Sequence, residues 1–375
     1  MKVVSIIGGG FCGTMVLYHL VQNNFENPIT INFYDDHGRH GRGVAYSTPF
    51  DEHLLNVPAS GMSALPDQPD HFLQYLGDGA NPAGFYPRKV YGDYLYGFFE
   101  QAMRRVRDSG HTLNVITNVA PGNDNSNILI HAGSTSQPLW PGGRPENTLE
   151  NIIDHPYGTE FQGFLGRCNA CEMVLILGTG LSAVDVILSL DRVGYRGKII
   201  CISRHGLWPV VHGPKNKFWH WRKYIDSLRP YSNRIWISFP AFLQKFCLKN
   251  ITFWNMVRHR MPPECHAVIK RFKKEGRLRT IRGRITRIES YEAYLQNGQK
   301  ITGDAVINCL GFIDMKGAKA QLIHPDSYRI AHDWPEYMIG PPLFGVLIET
   351  SAVPELRVQA KDVVAEVMEV LSGRT

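Results

Sequence analysis

A chain of 375 residues, 43% apolar and 20% charged, is long enough for two ordinary domains and too apolar to be disordered. Its net charge of +6 is mild and spread along the chain, which argues against a dedicated nucleic-acid surface. No apolar run approaches the roughly 20 residues of a membrane span, and seven cysteines at irregular spacings do not form a disulfide framework. The expected setting is therefore cytoplasmic, with no membrane partner.

Residues 3–7 read as a short, fully apolar strand rather than a leader, because the run breaks at once into Gly8-Gly9-Gly10 with no cleavage site after it. A glycine turn over 8–13 feeds a helix over 14–22 with apolar residues at helical spacing. A second strand over 29–34 ends at Asp35-Asp36. Parallel strands joined by a helix belong to an α/β fold. The stretch 38–87 reads as loops with a short helix at 70–76, 91–108 as an amphipathic helix, 113–132 as a weaker β region and 134–166 as loop. At Glu172 the pattern restarts, with a strand over 173–177, the turn Gly178-Thr179-Gly180, a helix over 181–192 and a strand over 198–203. An aromatic, helix-rich stretch runs to about 276, followed by strands at 279–289 and 292–301 around the turn dipeptide Asn297-Gly298. A buried strand from Asp304 ends in Asn308-Cys309-Leu310-Gly311, and the final helix over 354–371 opens with proline behind the candidate caps Thr350 and Ser351.

The first chemical motif is Gly8-x-Gly10-x-x-Gly13. One glycine makes the tight turn, one lets backbone approach a pyrophosphate, and one lets helix and strand pack closely. The phosphate charge then meets free N–H groups at the helix start, here Phe11, Cys12 and Gly13. Cys12 reads as packing, since a small side chain suffices there. Asp35 is placed to accept from a ribose hydroxyl, with Asp36 as the neighbouring candidate. The second motif is Gly178-x-Gly180-x-x-Ala183, with Ser182 inside it. Its next strand ends in Ser203-Arg204-His205 instead of an acid, and arginine suits a 2′-phosphate, which favours NADP over NAD. Two such sites in one chain point to a flavin in one and a nicotinamide donor in the other.

Together with these motifs, the segments Gly41-Arg42-Gly43-Val44-Ala45-Tyr46, His53-Leu54-Leu55-Asn56-Val57-Pro58, Pro87-Arg88 and Glu349-Thr350-Ser351-Ala352-Val353-Pro354-Glu355 carry a resemblance. The chain resembles the two-dinucleotide-binding-domain flavoproteins, the group containing glutathione reductase and the flavin monooxygenases. More narrowly it is similar to the bacterial FAD–NAD(P)-binding family. The resemblance implies an FAD domain split over 1–166 and 305–375, with a NAD(P) domain over 167–304 inserted in it. It implies that Arg42, Val44, Asn56 and Arg88 lie in segments lining FAD, that the Gly311 segment returns the chain to the flavin, and that the last helix, starting near Thr350, points its N-terminus at the flavin ring. The expected activity is an FAD-dependent, NAD(P)H-using oxidoreductase, a monooxygenase acting on a small molecule. The alternatives are a reductase passing electrons to a disulfide, quinone or protein, and a non-catalytic nucleotide-binding regulator. The resemblance departs before the inserted domain, where residues 128–133 replace a longer β meander.

The remaining features carry less. Cys168-x-x-Cys171 offers a dithiol relay, as in thioredoxin reductases, or plain linker cysteines. No second pair completes a zinc site, so no metal is expected. His53, His71 and His131 are acid–base candidates among fifteen histidines, and no catalytic residue stands out. Phe218-Trp219-His220-Trp221-Arg222 reads as core or as a substrate lid, and the basic run from Lys270 to Arg284 as a solvated helix end or an anion patch.

Overall fold

Two five-stranded parallel sheets, alike in their strand order except for one edge strand, organise the chain. The structure, a computed structural model, describes residues 1–36, 38–117, 125–133, 137–145, 150–213, 232–250, 258–312, 328–330 and 334–373. The first sheet contains β1 (Val3–Ile7), β2 (Thr30–Asp35), β3 (Thr112–Thr117), β4 (Ile128–His131) and, from the far end of the chain, β13 (Glu336–Met338). Its order is β3-β2-β1-β4-β13, parallel throughout. Helix α1 (Phe11–Val21) lies between this sheet, α2 (Arg88–Asp108) and α8 (Val353–Ser372). Nine of its eleven residues are buried, which is why its apolar pattern runs almost all round.

The second sheet contains β5 (Ile152–Ile153), β6 (Met173–Leu177), β7 (Lys198–Ser203), β8 (Leu278–Arg282) and β12 (Ala305–Asn308). The order β8-β7-β6-β12-β5 repeats that of the first sheet around its central strand. Successive residues of β6 face opposite sides. Val174 and Ile176 join a core with α3 (Thr159–Arg167), α4 (Leu181–Arg192) and α7 (Pro263–Lys274). Leu175 and Leu177 join a core with the antiparallel meander β9 (Ile285–Glu289), β10 (Glu292–Leu295) and β11 (Lys300–Thr302). Burial on both faces explains the continuous apolar run. Two short helices, α5 (Ser232–Ser238) and α6 (Ala241–Lys249), precede α7. Among the described residues, no helix is long and apolar enough to cross a membrane.

The second unit is thus inserted between β4 and β13 of the first. Ile152–Ile153, read as loop, and the strand Ala305–Asn308, both assigned to the first unit, pair into the second sheet, where β12 fills the place beside β6. The expected strand over 279–289 is two strands of different sheets. The chain turns at Gly283, where a Cβ would lie 2.6 Å from Leu295 Cδ1. The final helix starts at Val353 with Ala352 as its N-cap. The Ser351 hydroxyl accepts from Arg258, and Thr350 is buried, so neither acts as the expected cap.

Candidate functional site

The two glycine turns are geometric copies. Gly8 has φ +112° and Gly178 φ +111°, values that disfavour any side chain. The Gly8 N–H donates to the Tyr34 carbonyl at 2.9 Å, and that of Gly178 to Ile202 at 2.7 Å. A Cβ on Gly8 would sit 2.6 Å from the Gly133 backbone, and one on Gly178 2.8 Å from the Cys309 carbonyl oxygen. Each turn ends in an extended glycine N-cap with no side-chain cap: Gly10 for α1 and Gly180 for α4. Neither helix carries an acid in its first turn. Both helix starts therefore present backbone N–H groups and positive dipole ends to an anion. Gly13 is required for packing, since a Cβ there would lie 1.8 Å from the Gly8 oxygen. Ala183 is fully buried at the equivalent place.

Asp35 ends β2 beside the first turn. Its buried carboxyl lies where a Cβ on Gly9 would stand, 2.3 Å from Cγ, so Gly9 is sterically fixed too. His40, which no sequence pattern flagged, brings Nδ1 to 2.7 Å from the same carboxylate and stacks on Phe99. Asp36 is exposed. The turn before Tyr46 closes over the loop: the Gly41 N–H donates to the Gly9 oxygen at 2.8 Å, and Gly43 packs on Gly10. Val44 is half-buried in that turn. In the second unit, the Thr179 hydroxyl donates to the Leu207 carbonyl at 2.5 Å and accepts from Ser203 Oγ at 2.9 Å, which holds the end of β7 against the glycine turn. The exposed Arg204 follows immediately, with exposed Arg282 at the end of neighbouring β8.

A cavity of about 190 Å³ is lined by residues of both units. Tyr46, Asn56 and Met62 line it from the first unit, and Leu181, the first residue of α4, from the second. Ser351, Ala352 and Val353 at the start of α8 close it, with Arg258 and His259. Burial pushes the Tyr46 phenol up to about 12, so it stays a hydrogen-bond donor. Arg258 bridges to Glu349 at 3.2 Å, and its Nε donates to His259 Nε2 at 3.1 Å. These contacts tie the chain before α8 to the inserted unit.

Several predicted residues are committed elsewhere. Arg88 forms a buried pair with Asp185 of α4 at 2.9 Å, and its Nε donates to the Leu54 carbonyl. Burial opposes the Arg88 charge most strongly, but Asp185, Tyr157 and Tyr46 together outweigh it and raise the guanidinium pKa. The Tyr157 hydroxyl donates to the Asp185 carboxylate at 3.2 Å and accepts from Ser182 at 2.9 Å, so Ser182 belongs to this interface as well as to the turn. Nearby, the Ser189 hydroxyl donates to Glu52 at 3.1 Å. It therefore accepts from His53 Nε2 at 2.9 Å, which leaves Nδ1 to accept from Thr48 at 2.7 Å. His53 is thus a neutral structural group, and burial lowers its pKa. His71 pairs with Tyr94, and His131 with Glu336. Arg42 turns to Asp93 at 2.9 Å and to the Tyr96 ring. Gly311 follows Cys309, which abuts Gly178, so this segment serves the second turn; Gly133 plays that part for the first. In the first unit the return from the insertion is β13, whose next glycine, Gly340, packs on Cys12 Sγ. Burial pushes the Cys12 thiol up to about 12, in keeping with packing.

Cys168 and Cys171 are buried in the second core, and burial raises both thiols, the opposite of a redox nucleophile. No metal-binding cluster occurs among the described residues. The 218–222 aromatic run lies outside the described residues. Of the residues the sequence did not single out, Asp185 left a trace, an acid inside an otherwise apolar helix face; Arg258 and His259 left none.

The FAD-NAD(P)-binding family model matches residues 5–137. No curated protein matches the sequence. Solved structures do match over the whole length. The reduced form of the ornithine hydroxylase of Pseudomonas aeruginosa is 15% identical with a TM-score of 0.67, over 99% of each chain. The L-lysine 6-monooxygenase of Pseudomonas syringae is 16% identical with a TM-score of 0.60, again over 99% of each. The bacillithiol disulfide reductase of Staphylococcus aureus is 13% identical with a TM-score of 0.58, also over 99% of each. The chain therefore shares the fold of these structures, and residues 5–137 match the FAD-NAD(P)-binding family model.

Proposed function

We propose that this protein is an FAD-dependent, NAD(P)H-using oxidoreductase that hydroxylates a small molecule. The observation that carries this reading is the pair of matched, uncapped glycine-turn helices, with a cavity lined from both units. The N–H groups at the start of α1 would hold the FAD pyrophosphate, Asp35 its ribose, and the turn at Arg42, Val44 and Tyr46 its inner half. Asn56 and the Thr350–Val353 segment would line the flavin ring. The start of α4, from Gly180 to Ala183, would hold the nicotinamide dinucleotide. Arg204 and Arg282 would favour its 2′-phosphate, hence NADP over NAD. FAD held there would supply the hydride and electron-transfer chemistry between the nicotinamide and oxygen or another acceptor.

The protein's own residues have defined tasks around that chemistry. The positive end of α8 favours negative charge in the cavity. Val57, Met62, Leu181 and Val353 keep water from its walls. The Arg88–Asp185 pair fixes the two units against each other. The ornithine and lysine hydroxylase neighbours support a small-molecule substrate, and seven free cysteines support a cytoplasmic setting. The disulfide reductase neighbour supports the reductase alternative, although Cys168 and Cys171 are too buried to serve as its relay.

The test is to reduce the FAD-loaded protein with NADPH without oxygen, then mix it with air-saturated buffer. Fast reoxidation supports the oxygenase. A flavin stable in air but discharged by a quinone or disulfide supports the reductase. A protein that takes up no FAD sinks both.

A further inference from the structure

Helix α6 buries none of its residues, and its strongest apolar side chains point outward. Phe242 is 69% exposed and Phe246 64%, one helical turn apart on the same face. The side toward the protein carries Gln244, Cys247 and Leu248 instead. Ile235 and Phe239, at and just beyond α5, and Leu243 extend the exposed apolar surface. The pair of helices is firmly seated. The Gln244 amide donates to the Trp236 carbonyl at 2.9 Å, and the Trp236 indole donates to the Gly345 oxygen at 3.3 Å. Asn233 Oδ1 accepts from the Ile348 and Glu349 N–H groups at 3.1 and 2.9 Å. The outward phenylalanines are therefore held in place by the fold, and a contiguous exposed apolar patch marks a contact surface.

We infer that this face docks on an anionic lipid surface. The charge around it selects the occupant. Residues 232–250 carry Arg234, Lys245 and Lys249 and no Asp or Glu; Asp362 of α8 interacts with Arg234, which leaves Lys245 and Lys249 as the cations of α6 itself. A second copy of the chain would set these cations against their own like charges. A lipid leaflet accepts both parts, the aromatic rings below the headgroups and the cations at the phosphates. The sequence before α5 continues the composition, with Asp226 as the single acid in residues 214–231. The expectation of no membrane partner rested on the lack of a span, which a surface helix does not need.

The experiment is co-sedimentation of the full-length protein with vesicles of equal parts phosphatidylglycerol and phosphatidylcholine, and with phosphatidylcholine alone. The wild type should pellet with the anionic vesicles and be released by salt. Phe242→Ser with Phe246→Ser should lower binding about tenfold or more, while Phe242→Trp with Phe246→Trp retains it, and both should keep wild-type helix content. Lys245→Glu with Lys249→Glu should remove the preference for anionic vesicles. A wild type left in the supernatant, or a serine variant that binds like wild type, overturns the inference. So does a concentration-dependent dimer, or a complex with an acidic protein, that the serine substitutions abolish while vesicle binding is absent.

Discussion

Replacing Gly180 by alanine separates the two demands a dinucleotide turn makes on glycine. Gly180 has φ −78° and ψ −172°, a conformation open to any residue. A Cβ built there meets no protein atom within 4 Å. The folded chain therefore has no objection to the methyl. Gly→Ala at a compatible site gains about 0.4–1 kcal/mol through the unfolded state, and the poorer N-cap offsets a similar amount. Stability should be nearly unchanged. The methyl instead fills the space a pyrophosphate needs. Losing one charge-assisted hydrogen bond costs about 1.5–3 kcal/mol, which corresponds to an NADPH Kd raised about 10- to 100-fold. Gly178→Ala is the contrast. Its φ of +111° and the Cys309 oxygen 2.8 Å from the new Cβ place the penalty on the fold, at least about 1–3 kcal/mol from backbone strain alone. Thermal unfolding and anaerobic NADPH titration read both effects. The reasoning fails if Gly180→Ala binds NADPH like wild type, or if it unfolds as early as Gly178→Ala.

Other expectations follow from the interface and the turn mouths. Asp185→Ala strands the buried Arg88 and should cost about 3–5 kcal/mol in urea unfolding, whereas Asp185→Leu with Arg88→Met should recover most of it. Arg204→Ala should raise the NADPH Kd roughly tenfold and leave NADH nearly unaffected, measured as the ratio of the two affinities. Because burial lowers the His53 pKa from 6.5, its contribution to stability is present above 6.5 and is lost as pH falls through the lowered folded value. His19, lowered to about 4 chiefly by burial, extends the same window downward. Urea midpoints should fall between pH 6.5 and 4, and His53→Gln should flatten the upper part of that slope.

Much of this architecture was legible because its signals are local. A glycine turn between an apolar strand and a helix is written in about a dozen consecutive residues, and both turns lie where the motifs put them. The Asn297-Gly298 hairpin likewise joins β10 and β11. What was not legible depends on distant partners. An apolar run such as 305–308 reads the same whichever sheet it enters, and its place beside β6 was settled by long-range pairing. Arg88 lies in a segment expected to line the flavin, yet Asp185, far along the chain, takes its side chain. Thr350 and Ser351 are good capping residues by type, but the helix begins past them, and Arg258 takes the serine. Arg258 and His259 reach the cavity without any periodicity or spacing to mark them.

The most direct test of the central claim is an anaerobic titration of the purified, FAD-reconstituted protein with NADPH and, separately, with NADH, followed at the visible flavin band. The account predicts one FAD bound per chain and bleaching by stoichiometric NADPH, with NADH less effective. A protein that binds no FAD, or a bound flavin that neither nucleotide reduces, would contradict it.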